Sequence, residues 1–214
     1  MRIQQNPAQQ NFGAIPVTKT IIKRKVPFTP FYKKAEATFV KLDRRYDIPA
    51  ITQYAAKNPK AALTVDCIFD LKNDKYTQAF AITTQRENFN DLMPEQILGI
   101  CDGRIFHRGE SSIFFLQNIE TQSVNNPSAL HHTKKINILG KEINYNEKFK
   151  DIGRKLLKEL VKVLNSSEAD AIELKPIPIK RKAFYEKLGF KPLDSFDDIF
   201  EVPRRDFDDF IARN

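Results

Sequence analysis

Two short blocks of this 214-residue chain hold the residue types that a group-transfer site needs. The first is Lys148-Phe149-Lys150-Asp151-Ile152-Gly153-Arg154-Lys155-Leu156-Leu157, at the start of a strongly periodic segment. A helix beginning there leaves backbone N–H groups without intrahelical acceptors and is partly positive at that end. Gly153 lets a ligand approach the backbone closely, and Lys148, Lys150, Arg154 and Lys155 add charge. That combination suits a phosphate or pyrophosphate. Asp151 places a carboxylate in the same turn, and an ordinary basic amphipathic helix would carry the same residues. The second block is Ala183-Phe184-Tyr185-Glu186-Lys187-Leu188-Gly189-Phe190. It supplies a phenol, either an acid or a buried helix aromatic, and a glycine placed to end a helix.

Together the blocks resemble the GNAT superfamily of N-acetyltransferases. The family's pyrophosphate signature, Gln/Arg-x-x-Gly-x-Gly/Ala, falls on Lys148-x-x-Asp151-x-Gly153, so the second glycine matches and the first is Asp151. AFYEKLGF is similar to the family's FYxKxGF ending. The Asn-x-x-Ala that precedes it in the family falls on Pro178 and Arg181. The resemblance implies acetyl-CoA as co-substrate, lying in a V-shaped cleft between a strand over 113–121 and a strand over 169–174. Its pantetheine amides would bond the backbone near Ile119 and Thr121. Its pyrophosphate would sit on the N–H groups of Ile152, Gly153, Arg154 and Lys155, beside Lys148. Tyr185 would protonate the departing CoA thiolate. The implied reaction is direct attack of a primary amine, from a small molecule or a peptide, on the thioester.

That reaction needs a base for the ammonium proton and a donor for the developing oxyanion. A backbone N–H near Ile119 is one such donor. Where many relatives place a glutamate on the central strand, this chain has Gln117, whose amide accepts no proton. Glu120 becomes a candidate if the strand bulges to turn it inward, Glu173 is another, and both have a solvated strand-edge reading. His131-His132 and His107 lack accompanying ligands, so no metal is expected.

The elements that must position these groups are read from periodicity. Ala35–Leu42 alternates as a strand. Asp47 and Pro49 open a helix that Asn58-Pro59 stops. Residues 61–71 fit a helix or a strand. Strands are expected at Tyr76–Thr84, at Gln96–Cys101 with a turn at Asp102-Gly103, and at Ser112–Thr121. Residues 122–147 read as irregular and polar with a small hairpin expected around Gly140, and the resemblance, which implies a short loop there, makes them an insertion. Lys148–Leu164 has Ile152, Leu156, Leu157, Leu160, Val161 and Leu164 on one face, as a helix requires. A strand over 169–174, a short helix over 179–188 capped by Gly189, a strand near 199–202 and a terminal helical stretch with Phe207 and Phe210 follow. The order predicts an α/β fold: a mixed, mostly antiparallel, GNAT-like central sheet flanked by helices, with a parallel strand–helix–strand crossover.

Composition sets the wider frame. With 41% hydrophobic and 29% charged residues and no apolar run near 18, the chain reads as soluble, with no membrane partner. Cys67 and Cys101 alone fit buried thiols in a reducing cytoplasm. The leading 15 residues show no secretory pattern. Lys and Arg exceed Asp and Glu by 35 to 27, and the excess lies in residues 1–60, with twelve basic and three acidic residues. This leading charge could attract RNA or another polyanion. Residues 1–30 read as a flexible basic tail, and 31–214 as one domain. The alternative to catalysis is a binding module on the same fold, inactive because Asp151 opposes the cofactor's phosphates.

Overall fold

The computed structural model describes residues 13–57, 62–121, 133–138, 140–146, 148–176, 181–193 and 196–214. The chain opens with strands β1 (Ile15–Lys25) and β2 (Tyr32–Lys41) and helices α1 (Ile48–Lys57) and α2 (Ala62–Asn73). Strands β3 (Thr77–Thr83), β4 (Ile97–Arg108) and β5 (Ser111–Thr121) follow, then β6 (Thr133–Ile138), β7 (Lys141–Asn146) and β8 (Phe149–Lys150). The rest is α3 (Ile152–Asn165), β9 (Ala171–Leu174), α4 (Lys182–Leu188), β10 (Lys191–Leu193), β11 (Phe196–Pro203) and α5 (Phe207–Arg213). Nine strands form one sheet in the order β10-β11-β9-β5-β4-β3-β2-β1-β8. Its pairings are antiparallel except β5 with β9, the parallel pair that α3 connects. β6 and β7 make the separate hairpin expected around Gly140.

Each face of the sheet buries its own core. On one side Leu156, Leu157, Leu160 and Val161 of α3 pack with Phe39, Phe80, Phe114, Ile172 and Phe207. On the other Ile51 and Tyr54 of α1 and Cys67 and Leu71 of α2 cover Val40, Ala81, Ile97 and Ile100. Alternation along the strands serves both layers at once, because successive side chains point to opposite faces.

Three expectations are corrected and one open alternative is resolved. Residues 15–25 belong to the sheet as β1 rather than to a tail. Thr20 and Ile22 alternate inward against exposed Lys19, Ile21 and Lys23, and the strand pairs with β2 along its length. Residues 1–12 lie outside the described residues. Residues 62–71 of the segment left open between helix and strand are helical, within α2. Asp102-Gly103 is no turn, since β4 runs through it and reverses at Gly109, where φ is +61°. A Cβ on Gly103 would collide with the Phe115 carbonyl, so close packing, not a turn, requires glycine there. Finally, α3 begins at Ile152, four residues later than read. Lys148 to Lys150 run extended beside β1, and the Lys25 N–H donates to the Lys148 carbonyl at 2.8 Å.

Candidate functional site: a split sheet and a helix start

The parallel ladder between β5 and β9 is short. It pairs Ile113 with Ala171 and ends where Leu116 meets Leu174. β5 continues from Gln117 to Thr121 with no β9 residue opposite. At the same level β5 bulges. Asn118 faces Asp102 and Leu116 faces Gly103, so Gln117 is an extra residue. A bulge changes which side chains point where. Ile119 packs toward the α3 core, whereas Glu120 stands opposite Ile100, on the α1/α2 side. The bulge that would turn Glu120 is therefore present.

The start of α3 sits against the end of β5. A Cβ on Gly99 would meet Leu156 Cδ1 at 3.0 Å and Ile152 Cγ2 at 3.1 Å, so the first turns of α3 lie directly on β4. A Cβ on Gly153 would lie 3.6 Å from Thr121 Cγ2. Thr121, Ile152 and Gly153 are thus brought together. The Lys155 N–H is taken by the Asp151 carbonyl at 2.9 Å. Ile152, Gly153 and Arg154 are left as the N–H groups that no intrahelical carbonyl reaches. Lys155 can then contribute its side chain to an anion but not its amide, which corrects its expected role.

Asp151 precedes this turn in the left-handed conformation, with φ +65° and ψ 19°. Glycine adopts that conformation freely, and aspartate is among the few other residues that tolerate it. Its carboxylate makes no cap to the helix and instead pairs with Lys23 Nζ at 3.2 Å. The acid that should repel a phosphate is thereby turned to a cation on β1. Lys150 lies over the Tyr32 ring at 5.1 Å, tying β8 to β2 across β1. Farther along α3, buried Glu159 accepts from Thr20 at 3.0 Å and from Lys162. Partial burial and the neighbouring Lys155 and Lys162 charges push the Lys158 ammonium below its ordinary range, a sign of a concentrated cationic stripe.

Tyr185 is buried, 5% exposed, in α4. Its ring stands edge-on to Phe184 at 5.2 Å and to Phe190 at 5.7 Å. Gly189, at φ +108°, ends α4 and returns Phe190 to the core beside Phe210, which accounts for the LGF of the second block. Burial raises the phenol's pKa, against an opposing pull from Arg181. The hydroxyl therefore stays neutral near pH 7 and can donate.

Glu173 is settled differently. Fully buried, it receives a bidentate fork from Arg108 at 2.8 and 2.9 Å. It is held as an ion pair, not offered as a base. Gln117 donates to Asp70 Oδ2 at 3.3 Å. Sequence reasoning missed Asp102, fully buried opposite the bulge and hydrogen-bonded by Asn118 at 3.1 Å. Its signal was a lone carboxylate within an apolar strand, misread as half of a turn. His131 and His132 lie outside the described residues. Among the described residues no group of three His, Cys, Asp or Glu could hold a metal, and no helix is long and apolar enough to cross a membrane. A separate groove lined by Lys41, Leu71, Tyr76, Arg104 and Phe106 lies at the opposite end of β4, away from the split.

No family model and no curated protein matches the chain. Solved structures do. AtaT complexed with acetyl-methionyl-tRNAfMet aligns with TM-score 0.52 at 13% identity, over 80% of this chain and 97% of that one. The AtaT–AtaR complex bound to DNA aligns with TM-score 0.50 at 15% identity, again over 80% and 97%. The likeness shows the fold, which is the GNAT-like mixed sheet expected from the sequence.

Proposed function

We propose that this chain is an acetyl-CoA-dependent N-acetyltransferase. One observation carries the reading: the β5–β9 ladder opens at the level where the first turn of α3 packs on the end of β5. A cofactor there would extend its pantetheine along Ile119 and Thr121, as an added strand does, and rest its pyrophosphate on the N–H groups of Ile152, Gly153 and Arg154. Lys148, Lys155 and Arg154 supply counter-charge. When bound, acetyl-CoA supplies the activated acyl group. Tyr185, neutral and desolvated, donates its proton to the leaving thiolate. Glu120 lies on the opposite face of β5 and adds negative charge to the side from which an amine would approach.

A primary amine is the acceptor class. An amine carried on RNA is favoured over a free one by two facts. AtaT, which shares the fold, is seen with acetyl-methionyl-tRNAfMet. Lys155, Lys158 and Lys162 form a cationic stripe on α3. The ion pair of Asp151 with Lys23 supports catalysis over the inactive-module alternative.

The test is a thermal melt with acetyl-CoA and with ATP as control, followed by transfer of labelled acetyl to free amines and to aminoacyl-tRNA. At one hundred times Kd the cofactor should add about 2.7 kcal/mol of stability. An unchanged melt at millimolar acetyl-CoA overturns the reading.

A further inference from the structure

Acetyl transfer requires an amine without its proton, and the residues assigned so far do not remove it. On the α2 side of the β5 bulge, two side-chain oxygens are buried without a hydrogen-bond donor: Asp102 Oδ1 and Gln117 Oε1. They belong to one cluster. Asp102 Oδ2 is held by Asn118, the residue beside Gln117, and Gln117 Nε2 is spent on Asp70. Gln117 and Asp70 are partly exposed and form the outer layer, while Asp102, with no exposed surface, forms the inner one. Buried acceptors without donors are costly and rare. The ligand they call for is donor-only, and an ammonium brings three N–H groups and no acceptor.

Resting on the acetyltransferase reading, we propose that the acceptor's ammonium docks against Asp70 and Gln117 at the β5 bulge and that Asp102 takes its proton. The ammonium N–H bond breaks, its electron pair stays on nitrogen, and the Asp102 carboxylate becomes a carboxylic acid. The nitrogen lone pair then forms the C–N bond to the thioester carbonyl as the C–S bond breaks. The thiolate takes the Tyr185 proton, the amide nitrogen's second proton returns to Tyr185, and Asp102 releases its proton to solvent. One proton is released per acetyl group.

Position selects Asp102 over Glu120. Asp102 faces the bulge itself, whereas Glu120 lies two residues nearer the end of the strand. The surroundings fit a base that works near neutrality. Burial, joined by the charges of Asp70 and Asp66 on α2, lifts the Asp102 carboxyl to about 7, against the opposing pull of Asn118 and the nearby Cys67 thiol. Cys101, beside it on β4, and Cys67 are kept protonated by burial and by Asp102.

The experiment measures kcat/KM against pH for transfer to glycine methyl ester and to aminoacyl-tRNA. Wild type, Asp102→Asn and Asp70→Asn are compared, with acetyl-CoA affinity taken separately by calorimetry. Wild type should lose activity below about pH 7. Asp102→Asn should lose that limb and on the order of a hundredfold in kcat/KM, with acetyl-CoA affinity unchanged. Asp70→Asn should raise KM for the amine. It should also move the limb to lower pH by roughly half a pH unit, because a like charge beside the base has been removed. This second variant tests the proposal even where Asp102→Asn fails to fold. An active wild type with an Asp70→Asn profile that does not move, or a folded Asp102→Asn with the wild-type profile, overturns the assignment of Asp102. A wild type that binds no acetyl-CoA overturns the acetyltransferase reading itself.

Discussion

Lys23 Nζ lies 3.2 Å from the Asp151 carboxylate, joining strand β1 to the residue before α3. Both side chains are substantially exposed, 61% and 38%, so the pair adds little to stability. Its importance lies in what it does to the field at the helix start. Lys23→Ala should leave Tm nearly unchanged and weaken acetyl-CoA by about fivefold, the equivalent of roughly 1 kcal/mol of uncompensated charge. Asp151→Gly should tighten it, since the carboxylate goes and the left-handed backbone becomes unstrained. In the double variant Lys23→Ala should cost nothing further. A cycle that is additive removes the charge-balance explanation.

Gly153 presents its missing side chain to Thr121 across the mouth of the split. Because 3.6 Å is ordinary contact, Gly153→Ala should fold normally. Gly153→Val should fold but fill the space a pyrophosphate needs, raising the Kd for acetyl-CoA tenfold or more, about 1.4 kcal/mol. Calorimetric titration of both variants separates the steric effect from instability.

Tyr185→Phe keeps the ring contacts with Phe184 and Phe190 and removes only the hydroxyl. Turnover should fall on the order of a hundredfold with cofactor affinity unchanged. Equal turnover would exclude Tyr185 as the acid.

Arg108 and Glu173 make a different kind of prediction. Arg108→Ala leaves a buried carboxylate without its fork. It should cost about 3 kcal/mol, a Tm loss of roughly 6–12 °C in a chain of this size. Replacing both residues by apolar ones should recover most of that, which a melt will read directly.

The raised carboxyls set a pH dependence of stability. Asp102 is lifted to about 7 and Asp47 to about 6, mainly by burial. Each binds its proton more tightly folded than unfolded. Their contribution is therefore complete below the unfolded value near 3.8 and is lost as pH rises through 6 and then 7. Denaturant melts should show stability falling between about pH 4 and 7, and Asp102→Asn should flatten the upper part of that fall.

Local signals were legible wherever a residue acts on its neighbours. The face of α3, the Gly189 stop and the Asp47-Pro49 opening of α1 needed no tertiary knowledge. The signals that failed depended on distant partners. β1 reads as a tail because lysines alternate with its apolar residues, and only β2 and α3 show which face is buried. The Asp-Gly pair of β4 looks like a hairpin because its true constraint, the Phe115 carbonyl, lies on another strand. The same error hid Asp102. The second block ends its helix at Gly189 as read, whereas Lys148–Lys150 of the first precede α3, and the bulge that separates Ile119 from Glu120 is a relation between two strands.

The partners of the split sheet emerge far apart during synthesis. Thr20 waits for Glu159, 139 residues later, and β5 waits for β9. At a ribosome adding ~5–20 residues per second, the interval between Thr121 and Ala171 lasts several seconds. During that time β5 presents an open, apolar edge, and β1 has no helix beneath it. Pairings this remote in sequence also close slowly once the chain is free. The same division that would receive the proposed cofactor leaves the nascent protein incomplete until its last third has been made.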